Sequence, residues 1–482
     1  MLLLLAASHV KAQRIYPYGG INDVKLLKAT KIALPPSGKA AFPSAYSLKK
    51  YAPIAGDQYP YGECVPWALC YSALTIAESV RMQREDSTAT TKAAFSPSFI
   101  YEQIKAKTDT NCADGSVMVS GLDIMKNIGS VRQTDFTYAC GKTVDTKSII
   151  QASSFKIKDY EQLTDSSGKL IESIKAAISS GNPVSFFMVV TPSFDQLFGK
   201  EYWTISEQDL AQKDDFIKNG NPKHIRIGWH GMCITGYDDT DQGGVLEILN
   251  SWSTGFGLRG YIKIKYTDFL KLYGGCFVMH LDDWEISKTF TFKAGVKILQ
   301  STGAGTPSSH EFTPKWFGPD DLQNSKISDF GNELLRVDTT FKELDQFRLL
   351  LKGNLPTYVY IVNYNSDTHE IDTLFPYNTI SPFINSRNFL ATIPSEDIPI
   401  TINGASSSEF LTILYSQKQL SESDLLIKLK APGHTYFENL ESALSDRIID
   451  FKSAQFDKTD GTFTVTMDGN KYILPIVVTI RH

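Results

Sequence analysis

A run rich in Gly, Ser, Thr and Pro between residues 300 and 314 separates two stretches of the chain that differ in pattern. The stretch from about 46 to 284 contains all six cysteines and mixes helical and strand-like segments. The stretch from about 315 to 482 consists of short runs of β-branched and aromatic residues between turn residues. A chain of 482 residues is long enough for each stretch to bury its own core. The sequence therefore predicts a two-domain α+β protein, with a linker region at 285–314.

The second stretch has the pattern of an all-β domain. Turn residues such as Gly353-Asn354 and Asp460-Gly461 stand between its apolar runs. We predict strands in the following runs: Phe347–Leu351, Thr357–Val362, Phe389–Ile393, Phe410–Tyr415, Thr462–Thr466 and Tyr472–Ile480. One helical interruption is expected at Glu438–Ile449. These elements predict a β-sandwich or a barrel.

The charge balance argues against nucleic acid as a partner. The chain has 48 basic and 53 acidic residues, a formal net charge of −5, and no basic stripe that would bind phosphates. No Cys-x-x-Cys pair occurs, so a zinc site is not expected. The acidic pairs at 238–239 and 282–283 lack the spacing of a calcium loop and are typical of turns. We expect neither a metal nor a cofactor.

The N-terminal residues have the pattern of an export signal. Residues 2–7 form a short apolar run, and residues 10–12 (Val-Lys-Ala) fit the small-x-small rule of a cleavage site. No basic residue precedes the apolar run, so an apolar N-terminus that is not cleaved is the alternative. We predict a signal peptide at 1–12, a lead-in segment or short propeptide at 13–45, and an exported protein. No other run approaches the roughly 18–20 apolar residues of a membrane-spanning helix.

Cys64 opens a predicted helix. Apolar residues recur at helical spacing from about 65 to 82, and Pro66 is tolerated only in the first turn of a helix. Unpaired N–H groups and the helix dipole favour negative charge there, so we expect a lowered pKa and a nucleophilic thiolate at Cys64. Gln58, six residues earlier, offers an amide donor to a developing oxyanion. A buried cysteine without a chemical role is the alternative for this segment taken alone.

Two later segments each place a polar side chain at the end of a predicted strand. His230 stands at the start of an apolar run that ends in a Gly-Tyr-Asp turn. Asn250 ends another apolar run and is followed by Ser251 and Trp252. An asparagine amide can accept the imidazole N–H and hold the ring toward a cysteine sulfur. Each segment alone is also compatible with an ordinary strand that has a polar end.

Together the three segments resemble the papain family of cysteine peptidases. The order of Gln, Cys, His and Asn-Ser-Trp along the first stretch agrees with that family. The resemblance implies a helical lobe and a β-rich lobe, with the site in the cleft between them. It implies that Cys64 attacks the substrate, that His230 transfers the proton and that Asn250 orients the imidazole. Gln58 would supply the oxyanion donor, and Trp252 would shield the His–Asn contact.

The remaining cysteines and the spacing agree less closely with the family. The segment at 111–115 resembles the Cys-x-Gly-Gly stretch of the family, and the resemblance implies a disulfide between Cys112 and Cys140. Tyr61 replaces the cysteine that usually stands three residues before the nucleophile, so its disulfide is not expected. The interval from nucleophile to histidine exceeds the roughly 130–150 residues of papain. We expect the excess in the loop-rich stretch Phe194–Gly228, next to the cleft.

The resemblances lead to one function and two alternatives. The first stretch is expected to be an exported, bacterial-type papain-like endopeptidase that hydrolyses protein or peptide substrates through an acyl-thioenzyme on Cys64. A catalytically silent binding protein and an acyl transferase, both on the same fold, are the alternatives. The second stretch resembles an uncharacterised β-rich module of exported bacterial proteins, for instance at 358–360 (Tyr-Val-Tyr) and 374–376 (Leu-Phe-Pro). That module implies a binding or stabilising role and no chemistry.

The lead-in segment is short for an inhibitory propeptide. It contains Pro35-Pro36 and no sustained helical period, so the long helical propeptide of the family is not expected. An extended segment held in the cleft by Ile32 and Leu34 is the alternative. We therefore predict either no latency or a weak latency that one cut before Phe42 relieves.

Overall fold

The computed structural model describes residues 14–38, 40–165, 168–221, 225–281, 289–301, 309–312, 315–316, 335–402, 408–449, 454–457 and 459–481. The predicted signal peptide at 1–12 lies outside these residues. The strands of the first 281 residues are β1 Gly20–Ile21, β2 Ala45–Ser47, β3 Ser116–Val117, β4 Ile157–Leu163, β5 Val184–Val190, β6 Gly228–Asp238, β7 Val245–Leu249, β8 Tyr261–Lys265 and β9 Tyr273–Leu281.

The later strands are β10 Phe290–Ser301, β11 Ser309–Phe312, β12 Lys315–Trp316, β13 Leu335–Thr340, β14 Gln346–Gly353, β15 Thr357–Asn365, β16 Ile371–Phe375, β17 Phe383–Ile384, β18 Phe389–Ile393, β19 Ile400–Thr401, β20 Ser408–Ser416, β21 Gln455–Asp457, β22 Thr462–Met467 and β23 Ile473–Arg481. The helices are α1 Val24–Ala29, α2 Cys64–Pro66, α3 Thr75–Arg81, α4 Ser87–Lys92, α5 Pro97–Ile104, α6 Met118–Asn127, α7 Thr146–Ala152, α8 Leu170–Ser179, α9 Glu207–Asn219, α10 Tyr266–Leu272, α11 Glu422–Leu429 and α12 Tyr436–Leu444. None of the described helices is long and apolar enough to span a bilayer.

The chain forms two compact units, each built from separate parts of the sequence. The first unit contains the residues up to 24 and the ranges 47–157 and 183–276; the rest of the chain forms the second unit. The units therefore differ from the predicted boundaries, because most of the lead-in segment and the range 158–182 belong to the second unit. Backbone pairing explains part of this difference, since Ile32 bridges to both Gln162 and Ile380 within that unit.

The sheet of the first unit places β6 beside the helix that begins at Cys64. Strands β3, β1, β6 and β5 are neighbours in that order, and β7 pairs with both β6 and β8. All seven residues of β5 are buried, as are most of those of β6. A strand covered on both faces carries a continuous apolar run rather than an alternating one. This explains why Val184–Val190 consists of apolar residues apart from one serine.

The helix predicted from residue 65 is present and runs from Cys64 to Arg81. It begins as α2, continues as a π-helical segment over Trp67–Leu74 and ends as α3. Pro66 lies in the first turn, where a missing backbone N–H breaks no helical hydrogen bond. The π-helical residues are all buried, so packing holds this wider helical geometry in place.

The second unit contains two seven-stranded sheets among its described residues. One has the order β18-β14-β10-β22-β21, with β11 on β10 and β19 on β14. The other has the order β12-β13-β23-β20-β15-β16, with β17 on β15. One apolar core contains Phe292 and Leu349 from the first sheet and Ile361, Ile413 and Ile476 from the second. The two sheets therefore face each other across a shared core, as in the predicted sandwich.

Side-chain alternation on β15 shows how this sandwich is completed by helices. Val359 and Ile361 belong to the core between the sheets. Tyr358, Tyr360 and Val362 belong to a second apolar cluster, which also contains residues of α11 and α12. Successive side chains of a strand point to opposite faces, so the outer face of this sheet is covered by the helical pair.

Most of the predicted elements of the second stretch are present. All six predicted strands overlap β14, β15, β18, β20, β22 and β23, and α12 overlaps the predicted helix. The expectation of a single helix is wrong, because α11 is a second one. The predicted linker is wrong for residues 290–301 and 309–312, which form β10 and β11; β10 pairs with β11, β14 and β22. The apolar residues Phe292, Ala294, Val296 and Ile298 alternate with Lys293, Gly295 and Lys297, so the sequence carried a strand signal here that the linker prediction overlooked. The other linker residues, 302–308 and 313–314 among them, lie largely outside the described part.

Candidate active site

Cys64 lies in the first turn of α2 and is fully buried. Its Sγ accepts a hydrogen bond of 3.3 Å from the backbone N–H of Gly231 on β6. A Cβ at Gly231 would lie 3.0 Å from the Cα of Val65, so glycine lets the strand approach the helix this closely. The strand that carries His230 is thereby packed against the residue that carries the thiol.

His230 and Asn250 lie on neighbouring strands. β6 carries His230, and Asn250 directly follows β7, which pairs with β6. Nε2 of His230 lies 2.8 Å from Oδ1 of Asn250, and the same oxygen accepts the N–H of Ser251 at 2.8 Å. An amide oxygen only accepts, so Nε2 carries the proton and Nδ1 keeps a lone pair. Nδ1 is buried and has no hydrogen-bond partner among the described residues, which leaves it available to the thiol.

The side-chain amide of Gln58 is oriented by a hydrogen bond to its oxygen. Oε1 accepts a hydrogen bond of 2.7 Å from the hydroxyl of Ser251, the residue after Asn250. This contact turns Nε2 the other way, where it donates to the carbonyl oxygens of Pro17 at 3.1 Å and Tyr61 at 3.2 Å. A carbonyl oxygen is therefore already bound to the amide that the sequence predicts as an oxyanion donor.

Trp252 covers the His230–Asn250 contact with aromatic surface. Its ring is 1% exposed, and its centroid lies 5.0 Å from that of the imidazole. Phe194 and Phe256 pack edge-on against the indole, both at 5.1 Å. Excluding water lowers the local dielectric, which strengthens the hydrogen bond between the two polar side chains.

A segment near the N-terminus, residues 16–20, fills the space in front of Cys64. The N–H of Gly19 donates to Sγ at 3.2 Å. Gly20 then pairs with Trp229 on β6 and with Ser116 on β3. A Cβ at Gly19 would lie 1.7 Å from the carbonyl oxygen of Gly62, so only glycine fits at this point. The segment is thus threaded between the helix start and two strands.

Two tyrosines anchor this segment. The ring of Tyr16 stacks on Trp252 at 4.9 Å, and its carbonyl accepts a hydrogen bond of 2.9 Å from Arg226. The hydroxyl of Tyr18 donates to Asp195 at 2.8 Å. The site is therefore buried in this state by side chains that are far from it in the sequence.

The buried pair of Cys64 and His230 is uncharged at neutral pH. Burial raises the pKa of the Cys64 thiol to about 11, although the N–H groups of Gly231 and Gly19 act in the opposite direction. Burial lowers the pKa of His230 to about 4. The expected lowered pKa of the thiol is therefore wrong for the covered site, because the cost of burying a thiolate outweighs the helix N-terminus.

The segment is not positioned for cleavage. Attack by a thiolate requires a carbonyl carbon next to Sγ, with the carbonyl oxygen facing a hydrogen-bond donor. An amide nitrogen, that of Gly19, lies next to Sγ instead. The oxygen bonded to Gln58 belongs to Pro17, one peptide unit further from the sulfur.

Sequence comparison assigns part of the chain to a known family. Residues 62–273 match the family described as "Papain family cysteine protease", and this range contains Cys64, His230, Asn250 and Trp252. Residues 62–273 form a papain-family domain. No curated protein matches the chain in sequence.

Several solved structures are similar to the chain. Xylellain, a cysteine protease from Xylella fastidiosa, is 19% identical, with 56% of this chain and 97% of that chain covered and a TM-score of 0.43. Digestive procathepsin L 3 of Tenebrio molitor larval midgut is 14% identical, with 53% and 78% covered and a TM-score of 0.40. The bromelain protease from Ananas comosus, in complex with the E64 inhibitor, is 14% identical, with 50% and 100% covered and a TM-score of 0.37.

The first unit brings together all five side chains that the sequence singled out for the site. Gln58 and Asn250 both contact Ser251, and Trp252 covers His230. Cys112 and Cys140 form the expected disulfide, with a Cα–Cα distance of 5.8 Å. Ile32 bridges to Gln162 and Ile380, and Leu34 packs against the sandwich core, instead of holding a segment at Cys64 as considered. Residues 16–20 take that place.

Sequence reasoning missed Gly19, Tyr18, Asp195 and Arg226. Asp195 lies in a short 3-10 turn, and both it and Arg226 fall within the stretch that was expected to border the cleft. The Gly19-Gly20 pair was the only local signal in the segment, and by itself it indicates a turn. Within the described residues, one group has the geometry of a metal site, Glu102 with Cys112 and Cys140. Its two sulfurs are joined in the disulfide and cannot ligate as thiolates.

Proposed function

We propose that the papain-family domain is a cysteine endopeptidase that cleaves protein or peptide substrates, with Cys64 as nucleophile and His230 as its base. The observation that supports this most directly is the His230–Asn250 contact of 2.8 Å, which leaves the imidazole Nδ1 unprotonated and without a hydrogen-bond partner among the described residues. Gln58 adds a fixed amide donor at the same place. A helix start, an oriented imidazole and an oxyanion donor are the parts that thiol-based acyl transfer requires.

The reaction follows from these roles. Nδ1 of His230 takes the proton of Cys64, and the sulfur attacks the scissile carbonyl carbon while the carbonyl oxygen is stabilised by Gln58. The imidazolium then protonates the leaving amine, and the C–N bond breaks to give an acyl-thioenzyme. Water, deprotonated by the imidazole, attacks the thioester and releases the carboxylate product and the thiol. Asn250 keeps Nε2 protonated throughout.

In the state described, residues 16–20 keep this domain latent. The Gly19 N–H occupies the position where a scissile carbonyl would meet Sγ, and the amide of Gln58 is engaged by Pro17. Activity then requires the segment to leave, by cleavage or by displacement. Because the covered thiol has a pKa of about 11, reactivity at neutral pH depends on that departure.

The disulfide between Cys112 and Cys140 supports an exported location, since such bonds persist in oxidising compartments and are rare in the cytosol. Fractionation of the producing cells tests this. Recovery of the mature chain outside the cytosol, with these two cysteines blocked to alkylation, is expected. A reduced chain in the cytosol would contradict it.

The function is tested by labelling with an epoxide inhibitor of thiol proteases and mapping the modified residue, followed by cleavage of a peptide library. The Gly19→Ala variant of the full chain, in which the covering segment is displaced, should be labelled at Cys64 and should release cleavage products. In the same Gly19→Ala background, Cys64→Ala should show neither, whereas Cys70→Ala is the matched control and should show both. Labelling without cleavage products would favour an acyl transferase, and no labelling would favour a binding protein.

A further inference from the structure

Tyr18 occupies a pocket that matches a tyrosine side chain at several points. One face of the ring is nearly parallel to Trp252, with centroids 5.9 Å apart and planes inclined by 16°. The backbone of Gly228 leaves room for the ring, since a Cβ there would lie 3.1 Å from Cδ2 of Tyr18. The pocket is therefore bounded by the flat indole of Trp252 and by the backbone of Gly228, and both suit an aromatic side chain.

Two charged side chains contact the ring and its hydroxyl group. The carboxylate of Asp195 accepts a hydrogen bond of 2.8 Å from the hydroxyl of Tyr18. Arg226 binds the same carboxylate through Nε at 2.9 Å and Nη2 at 3.2 Å. Its guanidinium carbon also lies 4.4 Å from the centroid of the Tyr18 ring, within cation–π distance. The carboxylate is thus held in place by the arginine and recognises the one atom that distinguishes tyrosine from phenylalanine.

The pocket lies on the leaving-group side of the site. The centroids of Tyr18 and His230 are 5.9 Å apart. His230 must deliver a proton to the leaving nitrogen, so the residue that contributes this nitrogen has to lie beside the imidazole. A side chain in the pocket therefore belongs to the residue that follows the scissile bond.

We propose that Asp195, Arg226 and Trp252 form a binding site for a tyrosine side chain on the substrate residue that follows the scissile bond, and that Tyr18 occupies this site in the latent chain. The inference rests on the proposed peptidase function. It identifies the preferred substrates as peptides with tyrosine on the leaving side.

The chemistry of the pocket discriminates against other side chains. Phenylalanine would fill the space but leave Asp195 without its hydroxyl donor. Acidic side chains would meet the carboxylate at close range, and aliphatic ones would lose the contact with Arg226. Hydrogen bonds to a charged acceptor are at the strong end of the range, so a preference of at least about tenfold for tyrosine over phenylalanine is expected.

A binding experiment on the full chain tests the pocket without requiring activity. Cys64→Ala combined with Tyr18→Ala removes the nucleophile and the occupant. Calorimetric titration with L-tyrosine amide and with L-phenylalanine amide, both mimics of a leaving amine, should show at least about tenfold tighter binding of the tyrosine compound. Adding Asp195→Ala should reduce this ratio to about one, and Asp195→Asn, which keeps a neutral acceptor, should give an intermediate ratio.

The matched control is Asp241→Ala in the same background. Asp241 also accepts a tyrosine hydroxyl, that of Tyr202 at 2.8 Å, and a Lys263 ammonium at 2.8 Å, but it is not part of the pocket. This variant should lose a comparable set of contacts and keep the tyrosine preference. Equal binding of the two amides, or an unchanged preference in Asp195→Ala with an unchanged melting temperature, would overturn the proposal.

A kinetic experiment separates this inference from the proposed function. The full chain with Tyr18→Ala, the displacing change Gly19→Ala and an intact Cys64 is given two peptides that differ only in Tyr or Phe after the scissile bond. We expect kcat/KM to be at least about tenfold higher for the tyrosine peptide. Cleavage of both at equal rates would overturn the tyrosine site and leave the peptidase standing. Tyrosine-selective binding without any cleavage would overturn the peptidase and leave the site standing.

Discussion

The sandwich strands from Phe290 onward and the papain-family domain both have tightly packed interiors, but they bury different kinds of side chain. Among the described residues of the sandwich region, the buried polar side chains are uncharged: Thr357, Ser381, Thr392, Thr412, Ser416, Asn439 and Thr479. The papain-family domain buries ionisable groups, among them Glu63, Cys64, Glu78, Asp109, Asp209 and His230. Burying such groups is unfavourable unless partners satisfy them, so they occur where a specific arrangement is needed.

This difference distinguishes the side chains that stabilise a region from the side chains that give it a chemical function. The sandwich core consists of apolar side chains that need only shape and volume to pack. The buried groups around Cys64 need particular partners at particular distances, such as the Asn250 oxygen for His230. Substitutions in the two regions should therefore affect different measurable quantities.

The largest effect on stability is expected in the sandwich. Ile413 on β20 is fully buried in the core. It is paired with Ile361 on β15 and with Ile476 on β23. Ile413→Ala should lower the free energy of unfolding by about 2–5 kcal/mol, because it removes buried methyl groups and leaves a cavity. Urea unfolding and calorimetry measure this. Ile427→Ala, at an exposed position, is the control and should change the free energy of unfolding little.

In the Gly19→Ala background, labelling of Cys64 by the epoxide should be unaffected by Ile413→Ala below the unfolding transition. A loss of labelling in the still-folded variant would show that the two regions are not independent and would break the comparison.

The next largest effect is on catalysis. Asn250→Ala should lower kcat by roughly 100-fold, the low end of the contribution of general acid–base catalysis, because Nε2 of His230 loses its 2.8 Å partner. KM should change little, since the side chain holds the imidazole rather than the substrate. Steady-state kinetics of the activated chain provide the measurement. Asn219→Ala, at an exposed position where the side chain bonds to Asp215, is the matched control.

A change in KM with kcat preserved would assign Asn250 to substrate binding instead. The unfolding free energy of Asn250→Ala decides whether a lost activity reflects chemistry or folding.

Displacing the N-terminal segment should raise activity. A Cβ at Gly19 would lie 1.7 Å from the carbonyl of Gly62, so Gly19→Ala should expel the segment and increase the peptidase rate of the full chain by about tenfold or more. Exposure of the thiol should also lower its pKa from about 11, since burial is the main cause of the raised value. Thiolate forms above the pKa, so the midpoint of iodoacetamide labelling should move to lower pH.

Gly255→Ala is the control, because a Cβ there would make only ordinary contacts of 3.6 and 3.9 Å. An unchanged rate and an unchanged labelling midpoint in Gly19→Ala would show that residues 16–20 do not keep the domain latent.

The smallest expected effect is on the pH dependence of the free energy of unfolding. Burial raises the pKa of Glu63 to about 8 from its ordinary value of 4.5, although the Ser98 hydroxyl bond at 3.0 Å acts in the opposite direction. Between about pH 4.5 and pH 8, the carboxyl group of Glu63 is protonated in the folded protein and ionised in the unfolded chain. The contribution to stability is therefore fully present below about pH 4.5 and is lost as the pH rises through about 8.

Glu63→Gln cannot titrate, so its stability relative to the unmodified chain should be greater at pH 9 than at pH 5, by at least about 1.4 kcal/mol, the equivalent of one pKa unit. Urea titrations at the two pH values measure this. Glu85→Gln is the control, because the exposed Glu85 has a pKa lowered by Lys50. A pH-independent difference for Glu63→Gln would mean that the carboxyl is not buried as described.

The sequence by itself determined the features that depend on neighbouring residues. The strands of the sandwich follow from short β-branched and aromatic runs between turns, and the helix at Cys64 follows from apolar spacing and Pro66. The order of Gln58, Cys64, His230 and Asn250 was sufficient to expect one site only because it resembles the order of the papain family. Each segment taken alone left an ordinary strand or a buried cysteine open.

Only the tertiary structure decided what surrounds that site. The contact between Tyr18 and Asp195 joins residues 177 positions apart, and no local period records such a pairing. Burial depends on every neighbour in space, so the pKa of Cys64 depends on a segment, residues 16–20, that the sequence did not place at the site. Local periodicity fixes secondary structure, whereas the protonation state and the occupancy of a site depend on long-range packing.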